Sequence, residues 1–242
     1  MDIIKLSATN STNDYLKELT AKRYVGNFTV VTTEDQTSGR GQRGAQWNTE
    51  PGKNLTFSVL VRDLLLEVRG IFNLNVAVAV SIVQALEVFN LPLLNIKWPN
   101  DILAGNKKVG GILIENSIKP GGEIFSVIGI GLNVNQKNFD GLAKASSLAV
   151  IGNRNFNKEE ILLAILEKMK HNIARLMHND TKSVWEKYHE KLYKINVPMP
   201  FERNGQKFMG IIKGVSYDGM LQVVLEDDSV AQYAIKEVQL LY

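Results

Sequence analysis

Leu94-Asn95-Ile96-Lys97-Trp98-Pro99-Asn100-Asp101-Ile102-Leu103-Ala104-Gly105-Asn106-Lys107-Lys108-Val109-Gly110-Gly111-Ile112-Leu113-Ile114-Glu115 carries strand and turn signals one after another. Residues 94–98 read as a strand, and 102–103 with 109–115 as two arms of a hairpin turning at Ala104-Gly105-Asn106. Upstream, residues 71–89 form the longest apolar run, interrupted by Asn73, Asn75, Ser81, Gln84 and Glu87. A membrane span needs about 20 mostly apolar residues, so this run reads as a buried helix. Downstream, residues 124–134 read as a further strand.

Working outward, Ser11 followed by Asp14 resembles a capping box, and Tyr15, Leu16 and Leu19 fall at helical spacing, which predicts a helix over 12–22. Residues 28–33 and 55–61 read as strands. Between them, 34–54 is a long glycine-bearing loop, and loops of that length inside a compact domain are usually functional or disordered. Asn157 and Glu160 open an amphipathic helix whose Ile161, Leu162, Ile165, Leu166, Met169, Ile173 and Leu176 share a face, and a second helix follows over 181–192. From residue 197 the pattern turns to short strands, 206–217, 220–226 and 229–235, with turns at Asp218-Gly219 and Asp227-Asp228. A small β-barrel or sandwich is therefore expected after the first domain, with the boundary near Ile195. The expected division is 1–194 and 195–242.

Bulk properties limit the function classes. A chain of 242 residues holds one or two domains at roughly 150 residues each, and 45% hydrophobic with 22% charged residues is ordinary for a globular protein. Twenty-eight Lys and Arg against 25 Asp and Glu leave a net charge of +3, too balanced to imply a nucleic-acid or membrane surface. The chain has no cysteine, which excludes disulfides, thiolate metal sites and cysteine nucleophiles and fits a cytoplasmic setting. Residues 1–10 lack the basic, apolar and small-residue regions of a signal peptide. His171, His178 and His189 have no acidic or cysteine partners at ligand spacing, so no metal is assigned to them.

Gln36-Thr37-Ser38-Gly39-Arg40-Gly41-Gln42-Arg43-Gly44-Ala45-Gln46-Trp47 is the segment richest in chemistry. Gly39, Gly41 and Gly44 match the G-x-G-x-x-G string of dinucleotide folds. That string must open an apolar helix, whereas Asn48, Thr49, Glu50, Pro51 and Gly52 follow here. Closely spaced glycines also let backbone N–H groups approach an anion, with Arg40 and Arg43 adding charge beside it. Taken alone, the segment reads equally as a phosphate-handling loop or as a surface loop with two solvated arginines.

Three further segments carry a resemblance: Ser11-Thr12-Asn13, Lys97 to Asp101 with Lys108 to Leu113, and Gly129-Ile130-Gly131-Leu132-Asn133-Val134-Asn135. In order and spacing, together with the loop ending at Trp47, they resemble the biotin protein ligase family. The resemblance implies an α+β fold, a mixed β-sheet flanked by helices of the class II aminoacyl-tRNA synthetase-like kind, followed by a small SH3-like β-barrel. It implies an enzyme that makes biotinyl-AMP from biotin and ATP with Mg²⁺, then joins biotin to a lysine of a biotin carboxyl carrier protein domain.

Residue roles follow only from that resemblance. Ser11, Thr12 and Asn13, with Gln36 and Arg40, match positions around biotin, Ser11 and Thr12 toward its ureido group. Gly39, Arg40, Gly41 and Gln42 match the loop that orders over the ligand, and Trp47 a tryptophan flanking the adenine side. Lys97 would supply charge, Asn100 lies beside the nucleotide, and Asp101 is the expected metal ligand. Lys108 matches the lysine that meets the biotin carboxylate and the α-phosphate, so Lys108 and Arg40 are the expected catalytic cations. Gly111, Ile112, Gly131 and Asn133 would line the cleft.

Each residue has a plainer reading. Ser11 can be only an N-cap, Asn100-Asp101 a turn, Lys107-Lys108 a solvated hairpin edge, and Gly110-Gly111 a bulge. The chain departs from the family pattern at Gln42, usually arginine, and at Ala45, often arginine or asparagine. An amide donates hydrogen bonds but lacks the charge that holds a phosphate, and Arg40 with Arg43 is expected to compensate. With the first ligand motif at residue 11, no DNA-binding domain is expected ahead of it, and no membrane association. A homodimer stays open, as do two rivals, a lipoate ligase and a biotin-binding protein without catalysis.

Overall fold

The computed structural model describes residues 1–62, 71–118, 124–178 and 180–242. Seven strands make the larger sheet: β1 (Ile3–Thr9), β2 (Val30–Gln36), β3 (Leu55–Arg62), β4 (Leu94–Lys97), β5 (Asp101–Ala104), β6 (Lys107–Ile118) and β7 (Ile124–Leu132). Their spatial order is β1-β2-β3-β7-β6-β5-β4. Only β1 and β2 run parallel; every other pairing is antiparallel. The β5–β6 turn falls at Gly105-Asn106, with Gly105 at φ 61°, a left-handed conformation that glycine adopts without steric cost.

Helices cover both faces of this sheet, which is why all eight residues of β3 are buried. Side chains alternate across a strand, so Phe57, Val59 and Val61 join the core under α2 (Ile71–Glu87) and its neighbours, while Leu60 faces α1 (Thr12–Lys22) on the other side. There Leu16 packs with Val31, Leu60, Phe125 and Val127. α2 is apolar nearly all round because it is sandwiched between the sheet and two further helices, α4 (Lys158–Met177) and α5 (Thr181–Glu190); α3 (Leu148–Gly152) is a single short turn. One buried polar contact joins α2 to α4: Asn172 Nδ2 donates to Ser81 Oγ at 2.9 Å and to Gln84 Oε1 at 3.0 Å. The N-caps act as their sequences imply. Ser11 Oγ accepts from Asp14 N–H at 3.3 Å, and Asn157 Oδ1 accepts from Glu159 N–H at 2.9 Å.

The second sheet has five antiparallel strands in the order β11-β10-β9-β8-β12: β8 (Pro198–Arg203), β9 (Gln206–Val215), β10 (Leu221–Val224), β11 (Val230–Tyr233) and β12 (Gln239–Leu240). It is consistent with the expected SH3-like unit. Its β9–β10 turn docks on the larger sheet: Trp98 Nε1 donates to Gly219 O at 3.0 Å, and Phe72 from α2 packs against Gly219. Among the described residues, no helix is long and apolar enough to cross a membrane.

Four elements escape the sequence pattern. β1 is an edge strand with weak alternation, and α3 is too short to show a period. β8 carries Pro198 and Pro200, which normally argue against a strand. They are tolerated because β12 pairs with β8 only at Phe201 and Glu202, so no ladder partner is lost on that side. β12 has two residues. β2 also runs to Gln36 instead of ending at 33, because β1 pairs alongside it as far as Thr9 opposite Gln36.

Candidate functional site

A cleft of about 510 Å³ opens where α1 stops covering the sheet. Residues 125, 127, 129 and 131 of β7 share one face. α1 packs on Phe125 and Val127, whereas beyond its N-terminus the sheet surface is Gly129 and Gly131, with Gly111 opposite Gly131 in register. Three adjacent positions without a Cβ leave a hollow. Asn13 fills part of it, so close that a Cβ at 129 would lie 2.5 Å from its Oδ1.

The α1 end of the cleft is a tightly bonded polar group. Thr12 donates to Gln36 Oε1 from its N–H at 2.9 Å and from its hydroxyl at 3.2 Å. Ser58 Oγ lies 2.7 Å from Thr12 Oγ1 and 2.5 Å from Asn13 Oδ1. Asn13 Nδ2 donates to Glu115 Oε2 at 2.7 Å. Ser11, Thr12 and Asn13 are buried, and each is held by partners in the fold.

The glycine–arginine segment folds as a small hairpin across the cleft. Trp47 N–H donates to Gly39 O at 2.9 Å and Gly41 N–H to Ala45 O at 2.7 Å, with a 3₁₀ turn over Gln42–Gly44 at the tip. The Trp47 indole lies on the glycine floor; a Cβ at 131 would come within 2.4 Å of it. Its Nε1 is buried without a hydrogen-bond partner among the described residues. Arg40 leaves the hairpin toward α1, donating to Asp14 Oδ1 at 2.6 Å and lying 3.7 Å from Glu115 Oε1. Lys17 bridges the same two carboxylates at 3.0 and 2.9 Å. Burial pushes the Asp14 carboxyl up, but the hydrogen bonds and charges of Arg40 and Lys17 outweigh it and hold it below the usual value.

The opposite end is basic. Lys97, Lys108, Lys144 and Lys236 line it, and Asp101 is the one carboxylate in the lining. Asp101 contacts Lys108 at 2.6 Å and Lys97 at 3.4 Å. Lys108 also stands 5.6 Å from the Trp47 ring centroid. Its backbone is fixed by Lys108 N–H to Lys144 O and Ser146 N–H to Lys108 O, at 2.7 and 3.0 Å. Asn100 ties this end to β6, Nδ2 donating to Ile112 O at 2.7 Å. The Tyr242 ring lies against Lys97 and Lys144, and its hydroxyl is pushed up to about 12, first by burial and then by the charge of Asp101.

Most residues singled out in the sequence thus meet in one cleft: Ser11 to Asn13, Gln36, Arg40 to Gln42, Trp47, Lys97, Asn100, Asp101, Lys108, Gly111, Ile112 and Gly131. Two do not reach it. Gly39 is enclosed inside the hairpin, where a Cβ would meet Trp47 O at 2.2 Å. Asn133 lies behind the wall, buried, with Nδ2 donating to Ser146 O at 3.0 Å. The side chain of Arg43 lies outside the described residues. Thr56, Gly129, Lys144 and the barrel segment carrying Val238, Leu240 and Tyr242 join the lining unforeseen. Gly129, in the Gly129-Ile130-Gly131 string, had a signal, but nothing local in the barrel sequence marks it as part of a cleft. Among the described residues no three His, Cys, Asp or Glu side chains gather as a metal site. His189, assigned no metal, sits in the barrel seam with Nε2 3.1 Å from Val215 N.

Comparison with known proteins agrees with this geometry. Residues 6–135 match the model of the biotin/lipoate A/B protein ligase family. The bifunctional ligase/repressor BirA of Bacillus spizizenii is 30% identical over 201 residues, covering 80% of this chain and 60% of its own length. The biotin--[acetyl-CoA-carboxylase] ligase of Mycobacterium tuberculosis is 26% identical, covering 91% of this chain and 82% of its own. The chain therefore spans about 60% of the length of that Bacillus relative. Among solved structures, the biotin protein ligase from Aquifex aeolicus in complex with biotin and ATP superposes with a TM-score of 0.82 at 26% identity, over 99% of this chain and 98% of that one. With its glycine floor, arginine hairpin and lysine end in the order the sequence motifs imply, the chain belongs to the biotin/lipoate A/B protein ligase family.

Proposed function

We propose that the protein is a biotin protein ligase, which adenylates biotin with Mg·ATP and passes the biotinyl group to a lysine of a biotin carboxyl carrier protein. The observation that carries this reading is the convergence of the Arg40–Trp47 hairpin and Lys108 on one cleft beside the bonded group at Thr12. The hydroxyls and amides of Ser11, Thr12 and Gln36 suit a ureido ring, with the ligand's chain running along the glycine floor toward the lysines. The biotin and ATP held in the Aquifex structure, and biotin as the group the M. tuberculosis relative ligates, support biotin and ATP as substrates.

In the first step a biotin carboxylate oxygen forms a bond to the α-phosphorus of ATP and pyrophosphate leaves. Two anions meet, so fixed positive charge at the point of contact lowers the barrier most. Lys108, held by its backbone and by Asp101, is the cation we assign there, with Lys97 beside it; Arg40, paired with Asp14 and Glu115, adds little net charge. Asp101 alone, already compensated by two lysines, does not make a metal site; magnesium enters with the nucleotide, and Asp101 is the residue that would meet it. In the second step a carrier lysine amine bonds to the activated carbonyl carbon, AMP leaves, and the amine loses its proton. The hairpin over the floor keeps water from the mixed anhydride. Division at residue 195 and a cytoplasmic setting belong to the same proposal.

The test is mass spectrometry of a carrier domain incubated with protein, biotin and Mg·ATP. One biotinyl group on the carrier is expected. Pyrophosphate exchange that depends on lipoate instead of biotin would move the assignment to a lipoate ligase, and biotin binding without exchange would reduce the protein to a binder.

A further inference from the structure

The sequence assigns Arg40 to an anionic ligand, but in the structure its guanidinium already has a carboxylate. We propose that Asp14 is a positioning residue that, with Glu115, clamps Arg40 and so holds the glycine–arginine hairpin seated over the cleft. The proposal rests on the function above only for what the seated hairpin does.

Asp14 sits in the first turn of α1, and its N–H bonds to Ser11 Oγ, so its carboxylate is fixed relative to the helix end that faces the cleft. Glu115, on β6, is fixed from the other side by Asn13 and Lys17. Arg40 and Lys17 against Asp14 and Glu115 form a cluster of alternating charge, two of each sign, that is neutral within itself. Three of its members belong to α1 and β6; Arg40 alone comes from the hairpin. Among the described residues, its pairs with Asp14 and Glu115 are the ion pairs that join residues 39–47 to the rest of the protein. The hairpin is thus tied at two points, by Trp47 on the glycine floor and by Arg40 on α1. Glu115 also bonds Asn13, so the tie ends on the same residues that form the polar end of the cleft. A clamp at this place favours the seated hairpin and so lessens the ordering that ligand binding must supply.

The experiment uses ligand-free, full-length protein and its Asp14→Asn and Asp14→Glu variants, with amide hydrogen exchange read over residues 39–47 and over α1. Asp14→Asn is expected to speed exchange of the hairpin about fivefold, the upper scale of one half-exposed ion pair, while α1 exchange and thermal unfolding stay near the parent. Asp14→Glu, which keeps the charge, is expected to restore most of the protection. Arg40→Gln, which gives up the pairs with both Asp14 and Glu115, is expected to speed hairpin exchange at least as much, and adding Asp14→Asn to it is expected to change nothing further, because the shared contact is already gone. In turnover assays the biotin KM of Asp14→Asn is expected to rise by a similar factor with kcat changed less. Hairpin exchange that is unchanged in both Asp14→Asn and Arg40→Gln overturns the clamp. Altered exchange with an unaltered biotin KM overturns the positioning role. A protein that uses no biotin yet shows the exchange response counts against the proposed function and leaves the clamp standing.

Discussion

Replacing Gly131 by alanine tests the seat of Trp47 directly. A Cβ there would lie 2.4 Å from Cε2, 2.5 Å from Nε1 and 2.7 Å from Cζ2 of the indole, against the 3.5–4.0 Å at which carbon atoms ordinarily rest. The indole cannot slide aside by that amount, because Trp47 N–H is bonded to Gly39 O and the backbones of the two residues are in contact. It has to leave the floor. A fully buried tryptophan removes about 150–250 Å² from water. Trp47 is only partly buried, so roughly 100 Å² is at stake, or about 2.5 kcal/mol at ~25 cal/mol per Å². That is a shift of nearly two powers of ten in the balance between seated and unseated hairpin. The sheet should not suffer, because Gly131 is an extended strand residue paired with Thr56 and Gly111, a conformation alanine shares. Acrylamide quenching of Trp47 is the assay, with Trp47→Phe supplying the background from Trp98 and Trp185. Gly131→Ala is expected to raise quenching of Trp47 to near that of an exposed indole, at an almost unchanged melting temperature, and to cut biotin-dependent pyrophosphate exchange by about tenfold or more. Parent-like quenching together with parent-like exchange would refute the idea that the indole occupies the glycine floor.

Other predictions follow from the same geometry. Lys108→Ala should lower adenylation about a hundredfold or more, the scale of losing a group aimed at developing charge, and near-normal turnover would remove Lys108 from that role. Gln42→Arg should leave the escape of biotinyl-AMP, measured by trapping the released anhydride, close to that of the parent; unusually fast escape from the parent compared with this variant would contradict compensation by Arg40 and Arg43. Trp98→Phe takes the donor from Gly219 O and leaves a buried carbonyl unpaired, so stability should fall by about 1–3 kcal/mol, with faster exchange in the β9–β10 turn. Burial pushes the His189 imidazole below its ordinary value, against the pull of its contact with Val215. The unfolded chain then takes up a proton at higher pH than the folded one. The stability that neutral His189 contributes should be complete above about pH 6.5 and should decline as pH falls toward the depressed folded value. His189→Gln should flatten that part of the curve of melting temperature against pH.

Much of this protein could be read from its residues in order. α1 and α4 carry their own N-caps and apolar periods, α2 its long apolar run, and those signals are local, so burial only reinforced them. The β5–β6 turn at Gly105-Asn106 was legible for the same reason, and the motif residues pointed to one chemistry because their types and spacing are unusual together. What the chain order could not decide is anything that depends on partners far away in sequence. β2 extends to Gln36 only because β1 lies beside it, and β8 accepts two prolines only because its outer neighbour is two residues long. The barrel closes one wall of the cleft through Val238, Leu240 and Tyr242, which nothing near them in sequence announces. Arg40 looks like a free cation in the string and is a paired one in the fold, because Asp14 and Glu115 reach it from positions 26 and 75 residues away. Local sequence sets which backbone a segment prefers and which chemistry its side chains can perform. Tertiary packing alone sets which charges meet, and with them which of those side chains stand free to act.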